Sequence, residues 1–292
     1  MAGYAALLLV QLFFGLFPLA GKRAFDHYSP AAVVAWRIAT GAVVLGAIAA
    51  ARYGRAAWIS RGDWPRVGAC ALLGVALNML LFLEGLERST AVNAALLLPL
   101  IPVFTLAIAI LAGHERFDLR RALGITLACA GGGLVLAQRG PDLSRTYLLG
   151  NLLIVANELS YAGYLVAARP LLARHPPIVA LAWVFALALL AIPVLLVRGA
   201  EAFPVGASAA SRGALLYIVV FATVLTYLLN AFALARVSSS TTAAFIFVQP
   251  LITIAGGRAW LDEPLPEHWA IAAALTVAGV WLVARRRTRP AA

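Results

Sequence analysis

Residues 91–115 read AVNAALLLPLIPVFTLAIAILAGHE, and residues 239–263 read SSTTAAFIFVQPLITIAGGRAWLDE. Each stretch opens on small or hydroxyl-bearing residues, reaches a proline (Pro102, Pro250) and closes on a glutamate (Glu115, Glu263), at a constant offset of 148 positions. Extended outward, the same offset relates Leu80–Val135 to the later half of the chain, with fifteen of 56 positions identical and no gap. Chance identity in so Ala- and Leu-rich a chain is roughly a tenth, from squared residue frequencies. Apolar bias inflates the match without accounting for it. Gly15 and Gly163 also coincide at this offset, so the chain contains an internal repeat.

The residues around these stretches set the solvent. Of 292 residues, 63% are hydrophobic and 12% charged, with a mean hydropathy of +0.92; a soluble domain carries about a quarter charged residues. The apolar residues fall in runs long enough to cross a hydrocarbon layer of about 30 Å. This excludes a soluble enzyme, a disordered chain and an appended soluble domain. The expected fold class is an all-α membrane protein with ten transmembrane helices. The spans read Tyr4–Ala20, Ala31–Ala50, Pro65–Leu83, Ala91–Ala112 and Leu119–Ala137, then Gly150–Leu172, Ile178–Val197, Gly213–Phe232, Ser239–Trp260 and Trp269–Ala284. The run Tyr4–Ala20 has the apolar core of a signal peptide but no basic segment before it, so it is kept as the first span. Cys70 and Cys129 lie inside apolar runs and read as buried thiols rather than as a disulfide or metal site.

Charge placement orients the chain. The net charge is +11, carried by arginines in connectors and at span ends. With the N-terminus inside, fourteen basic residues fall on the cytoplasmic side and eight on the other, with Arg37 left inside the second span. The excess places both termini in the cytoplasm of a multi-pass inner (plasma) membrane protein, although Lys22 and Arg23 run locally against it. The positive charge is therefore topogenic, and no nucleic-acid partner is expected. Five spans per half is an odd number, so residues 147–292 enter the bilayer in the opposite sense to residues 1–146. Two inverted five-helix repeats are the design of secondary transporters, with the substrate near the midplane between them.

The residues Ala91-Val92-Asn93-Ala94-Ala95 to Pro102 and Glu115, and Ser238-Ser239-Ser240-Thr241-Thr242-Ala243 to Pro250 and Glu263, resemble the drug/metabolite transporter superfamily in its ten-helix EamA-type branch. Within it the pattern looks most similar to YddG-type exporters of aromatic and other neutral amino acids. The first copy departs from that pattern at Pro99 and His114. The resemblance implies a small-molecule exporter working by alternating access, with no cofactor, embedded in the lipid bilayer as a monomer or weak homo-oligomer.

Polar groups inside hydrocarbon are costly and face protein or water, so they mark candidate cavity walls. These are Gln11 and Phe14 on the first span, Asn78 on the third, and Asn157, Glu158, Tyr161 and Tyr164 on the sixth. Thr226, Tyr227 and Asn230 on the eighth, and Phe245 and Gln249 on the ninth, complete the expected substrate-binding set. The alternative is that these groups only bond between helices. Pro102 and Pro250 each remove a helix donor and free the carbonyls of Leu98 and Ile246, expected to bend the helix for gating, or simply to kink it. Glu158 is suited to a coupling proton or a cation, or is a neutral carboxyl. Arg37 either snorkels to the interface or anchors a substrate carboxylate, and Trp36 and Trp183 read as interface residues. The fifth and tenth spans show small residues every fourth position (Gly124, Ala128, Gly132; Ala270, Ala274, Ala278), expected to pack closely as scaffold.

All histidines and aspartates fall in connectors, so no catalytic pair, metal-binding helix or nucleotide-binding loop can be placed at one depth. The chain is not expected to be an enzyme. A channel would need a ring of charges or filter carbonyls. The expectation is thus a carrier of small neutral or zwitterionic metabolites, best matched by aromatic and neutral amino acids. A multidrug or lipophilic-cation exporter is the alternative within the superfamily, and a channel-like pore the alternative from another class.

Overall fold

The computed structural model describes residues 2–89, 97, 98, 100–136, 145–197, 204–252, 255 and 268–284, and among these all regular structure is helical. The helices are α1 (Ala2–Ala24), α2 (Pro30–Tyr53), α3 (Trp64–Ala71), α4 (Leu77–Glu87), α5 (Leu100–Leu111), α6 (Leu119–Leu136) and α7 (Arg145–Arg174). They continue as α8 (Pro177–Ala188), α9 (Ile192–Val197), α10 (Ala209–Val219), α11 (Thr226–Leu234), α12 (Ser239–Ala244) and α13 (Trp269–Ala284). Short turns fuse several of them. Four continuous stretches, Pro30–Ala57, Arg61–Leu86, Pro177–Val197 and Ala209–Leu234, are long and apolar enough to cross a membrane, and shorter apolar helices accompany them. Asn93, Pro99, Trp260 and Glu263, with the rest of the first copy's opening segment, lie outside the described residues.

Local chemistry sets the helix starts. Ser29, Ser208 and Ser238 each accept a backbone N–H three residues on, at 3.2, 3.1 and 3.2 Å, satisfying a donor that the first turn leaves unpaired. Pro30 and Pro177 occupy first-turn positions where a missing N–H costs nothing. Gly113, at φ +70°, follows α5 in the left-handed conformation that only glycine adopts without strain.

The exterior is apolar. Leu8, Val43, Leu111, Leu119, Leu152, Leu190 and Leu216 are exposed, while Gln11, Arg37, Glu158, Thr223, Asn230 and Thr242 are buried. A surface of leucine around an interior of amides and hydroxyls suits a lipid solvent rather than water.

Two helices carry a widened turn. Leu72–Ala76 joins α3 to α4 and Val220–Leu225 joins α10 to α11, both π turns, and 72 and 220 are 148 apart. The bonds run five residues back, from Leu77 N–H to Leu72 C=O and from Thr226 N–H to Phe221 C=O. The packing respects the same offset: α1 packs on α10 and α11, and α7 on α3 and α4, while α2 meets α8 and α6 meets α13.

Glycines set the closest approaches. A Cβ on Gly124 would lie 2.8 Å from the Gly279 carbonyl, and one on Gly131 2.7 Å from that of Ala272. This is the small-residue packing expected of the fifth and tenth spans, but on a different stripe of the tenth. Ala270, Ala274 and Ala278 face outward, and the packed face is Ala272, Thr276, Gly279 and Val283. In a helix with alanine on several faces, i,i+4 spacing alone does not choose the face; the glycines that admit the opposing backbone do. On the fifth span the contact falls on Gly131, next to Gly132.

Candidate functional site

The sixth-span and eighth-span candidates converge on the first π turn. Tyr161 and Tyr164 on α7 have ring centroids 5.7 Å apart, Tyr164 lies 6.3 Å from Tyr227, and Tyr227 meets Phe185 of α8 edge-on at 5.0 Å. The Tyr227 hydroxyl donates to the Gly74 carbonyl at 2.6 Å. A Cβ on Gly74 would sit 2.2 Å from the Tyr164 ring, so glycine there lets the ring lie on the widened turn. Around this row, the Asn157 amide donates to the Asn78 carbonyl (2.7 Å) and Ser160 to the Leu73 carbonyl (2.8 Å). The Asn230 amide donates to the Tyr161 hydroxyl (3.2 Å).

Glu158 is 1% exposed. Among the described residues neither of its carboxyl oxygens, nor the Tyr164 hydroxyl, has a hydrogen-bond partner. Buried polar groups are nearly always satisfied, so these three atoms are exceptions, and they stand beside a wall of rings. In this conformation the wall is packed on itself.

The remaining candidates fall elsewhere. The Gln249 amide donates to Gln11 at 2.8 Å, joining α1 to the helix after the Phe245–Phe247 3-10 turn; a Cβ on Gly15 would lie 2.8 Å from Ile252. Phe14 is half-buried on α1. Phe245 stacks on Tyr4 at 5.9 Å in an apolar cluster with Leu7, Leu106 and Val280, separate from the cluster that holds the tyrosine row. Thr226 donates to the Phe221 carbonyl at 2.7 Å.

Arg37 does not snorkel. It is 6% exposed, donates through Nε to Thr223 Oγ1 (2.8 Å) and through Nη2 to the Ala222 carbonyl (3.2 Å), and stands 5.2 Å over the Phe17 ring. Ala222 and Gly74 are 148 apart, so the carbonyl at the same place in each π turn takes a side-chain donor: Arg37 in one, Tyr227 in the other.

The prolines differ from expectation in detail. Pro102 is the third residue of α5, and the Leu98 carbonyl accepts from Ile101 N–H at 3.1 Å. That carbonyl is therefore not freed, and the missing donor lies in a first turn. Pro250 follows the 3-10 turn Phe245–Phe247, which contains Ile246. Both prolines thus sit just after a tightened segment rather than within an open kink. Glu115, the acid of the first motif copy, pairs with Arg121 and accepts the Ser240 backbone N–H at 3.2 Å. It ties the connector after α5 to the start of α12.

Two connector clusters form a second pattern. Asp63 accepts from Ser60 (2.8 Å), Arg66 (3.0 Å) and Arg174 (2.8 Å), with His175 Nε2 at 2.9 Å. Ser211 accepts from Ser208 (3.1 Å), donates to the Arg23 carbonyl (2.7 Å) and lies 2.9 Å from His27 Nδ1. His27 and His175, Ser60 and Ser208, and Asp63 and Ser211 are all 148 apart. Hydrogen bonds from His175 and Ser60 hold the Asp63 carboxyl well below the usual carboxylate range, outweighing its burial.

These clusters, like Phe185, are absent from the sequence-based candidates. The histidine and serine pairs carry a signal, identity at the repeat offset outside Leu80–Val135; Phe185 carries none, because it stands where Arg37 stands in the first half. Among the described residues no group of His, Cys, Asp or Glu is placed to hold a metal ion.

The EamA-like transporter family matches residues 1–137 and again 148–285. A probable terminal-alkyne amino-acid exporter of Streptantibioticus cattleyicolor is 27% identical over 288 residues, 98% of this chain and 94% of that protein. An uncharacterized transporter of Archaeoglobus fulgidus is 26% identical over 287 residues, 98% of this chain and 100% of its own. The uncharacterized transporter YyaM of Bacillus subtilis is 25% identical over 282 residues, covering 95% and 92%. A crystal structure with 20% sequence identity shares the fold, with a TM-score of 0.80 over 97% of this chain and 95% of that one.

Proposed function

Since the chain belongs to the EamA-like transporter family, we propose that it is a secondary transporter that exports neutral or zwitterionic metabolites, aromatic and neutral amino acids first among them. Residues 1–146 and 147–292 form two inverted five-helix repeats in the inner membrane, both termini are cytoplasmic, and alternating access exchanges the faces. The double family match, the π turns 148 residues apart and the crosswise packing of α1 on α10–α11 and α7 on α3–α4 support this arrangement. In it, the Asp63 cluster lies at the cytoplasmic face and the Ser211 cluster at the other.

One observation carries the substrate reading: the buried row Tyr161, Tyr164, Tyr227 and Phe185 beside a Glu158 carboxyl without a hydrogen-bond partner. Rings receive a ring by offset or edge contact. The carboxyl receives an ammonium group, and Asn230 and the Tyr164 hydroxyl supply polar contacts. Gln11, Gln249, Thr226, Asn78, Asn157, Phe14 and Phe245 contribute to the wall as the halves part, Arg37 is the carboxylate anchor, and Pro102 and Pro250 are the gating bends. The name of the Streptantibioticus relative, an amino-acid exporter, points the same way.

Burying one ring contributes roughly 1.5–3 kcal/mol, which alone corresponds to weak affinity of roughly 6–80 mM, as befits export from a concentrated pool. The test is counterflow in proteoliposomes. Phe, Trp and Tyr should saturate and compete, Gly should compete weakly, and Asp and Lys least. An acid among rings also suits a lipophilic cation. Saturable uptake of a cationic dye, with no movement or competition by aromatic amino acids, would replace the amino-acid reading with a multidrug one.

A further inference from the structure

We propose that the arginine-lined cavity between the α6 start, α7 and the α11–α12 junction binds a phosphate-type anion, the headgroup of an anionic lipid. The cavity encloses about 500 Å³ and is lined by Arg116, Arg120, Arg121, Arg169 and Arg236, with Glu115 and Asp118 as its acids. Five guanidinium groups against two carboxylates leave three positive charges in excess.

The acids are already committed. Glu115 holds Arg121 and the Ser240 N–H, and Asp118 accepts the Arg120 backbone N–H at 3.0 Å. Arg236 is folded onto the Phe232 ring and carbonyl. Arg116 and Arg169 have no anionic partner among the described residues, and the Nε of Arg120 is buried without a hydrogen-bond partner there. Forked donors that lack an acceptor, in a cavity of excess positive charge, fit the oxygens of a phosphate group.

The cavity rim identifies the source. Phe117, a lining residue, is 66% exposed, and Leu111, Leu119 and Leu123 beside it are exposed as well. Apolar side chains next to a basic pocket at a helix end match a lipid whose acyl chains lie over the leucines while its phosphate enters the pocket. This inference rests on the membrane location alone and is independent of the transported substrate.

The purified full chain, in phosphatidylcholine nanodiscs, is titrated with phosphatidylglycerol, and retained lipid is counted by native mass spectrometry. Phosphatidylglycerol should be preferred over added phosphatidylcholine. The double variant Arg120→Gln/Arg169→Gln should lower that preference about 30-fold, from two arginine contacts at the surface. Arg55→Gln, a basic residue outside the cavity, should leave it unchanged. Should the double variant misfold, the exposed Arg116→Gln carries the same expectation at about fivefold. An undiminished preference in these folded variants, or equal retention of the two lipids, overturns the site. Displacement of the lipid by an equal concentration of glycerol 3-phosphate removes any acyl contribution and overturns the lipid assignment in favour of a soluble phosphate.

Discussion

Replacing Asp63 with Asn tests whether the connector cluster holds the two halves together. The carboxylate is almost fully buried and takes four contacts between 2.8 and 3.0 Å. Two come from arginines whose side chains are 42% and 59% exposed, so water replaces most of what they lose and each accounts for at most about 1 kcal/mol. The contact from His175 (side chain 13% exposed) is better shielded, and charge-assisted bonds of that kind contribute about 1.5–3 kcal/mol, whereas Ser60 is exposed and its contact adds less. Asn keeps one acceptor oxygen and introduces an amide facing the arginines. The expected net loss is about 2–3 kcal/mol.

The pH dependence follows from the sign of the shift. The folded Asp63 carboxyl titrates below its ordinary 3.8, so its stabilisation is complete above that value and fades as pH falls through the folded one. The wild-type excess over Asp63→Asn should therefore persist from pH 8 to 5 and be lost only in strong acid. Trp58 and Trp64 pack tilted and edge-on against Trp183, at 4.9 and 5.1 Å, next to the cluster, so tryptophan fluorescence during denaturation includes a signal from it. A loss under 0.5 kcal/mol at pH 7, or a wild-type excess that disappears already near pH 6, would refute the assignment of the stability to this carboxylate.

Tyr227→Phe removes only the bond to the Gly74 carbonyl (2.6 Å); stability should fall by about 1 kcal/mol and the transport rate should change while ring-dependent substrate preference stays. Gly131→Leu drives a side chain into the Ala272 carbonyl and Thr276, so α6 and α13 should separate and the protein lose its monodisperse peak in size exclusion. The same change at the open Gly133 should be tolerated. For topology, a cysteine at Arg61 should be shielded from an external impermeant thiol reagent and one at Arg212 labelled. Labelling of both from outside contradicts the inverted arrangement.

The helical, apolar character of the chain was legible because a bilayer permits so few alternatives. Trp269–Ala284 coincides end for end with its sequence reading, and α1, α2, α7 and the joined α3–α4, α8–α9 and α10–α11 stretches run only a few residues longer, while the spans expected at Ala91–Ala112 and Ser239–Trp260 are described only in part. The convergence of Tyr161, Tyr164, Tyr227 and Asn230 was likewise implied, since polar groups in hydrocarbon have little choice but to meet one another. The paired histidines and serines of the connectors did carry a repeat signal, but the rest of what escaped has no residue signature. A bond to the fifth residue rather than the fourth leaves Leu72–Ala76 looking like any apolar helix, and Phe185 is one aromatic among many. The outward turn of Ala270, Ala274 and Ala278 shows a different limit, for alanine packs well enough on either side of a helix that only the opposing surface decides.

A π turn is an α-helical turn with one residue more than its bonds require. Excising one position from Leu72–Ala76 or from Val220–Leu225 therefore closes the helix to ordinary α geometry, whereas excision elsewhere in these spans shifts every later side chain by about 100° relative to the earlier ones. The chain thus has two places, 148 residues apart, where it is able to shorten without breaking a membrane helix. Such a shortening turns the Gly74 or Ala222 carbonyl relative to the neighbouring helices and should break its bond from Tyr227 or Arg37.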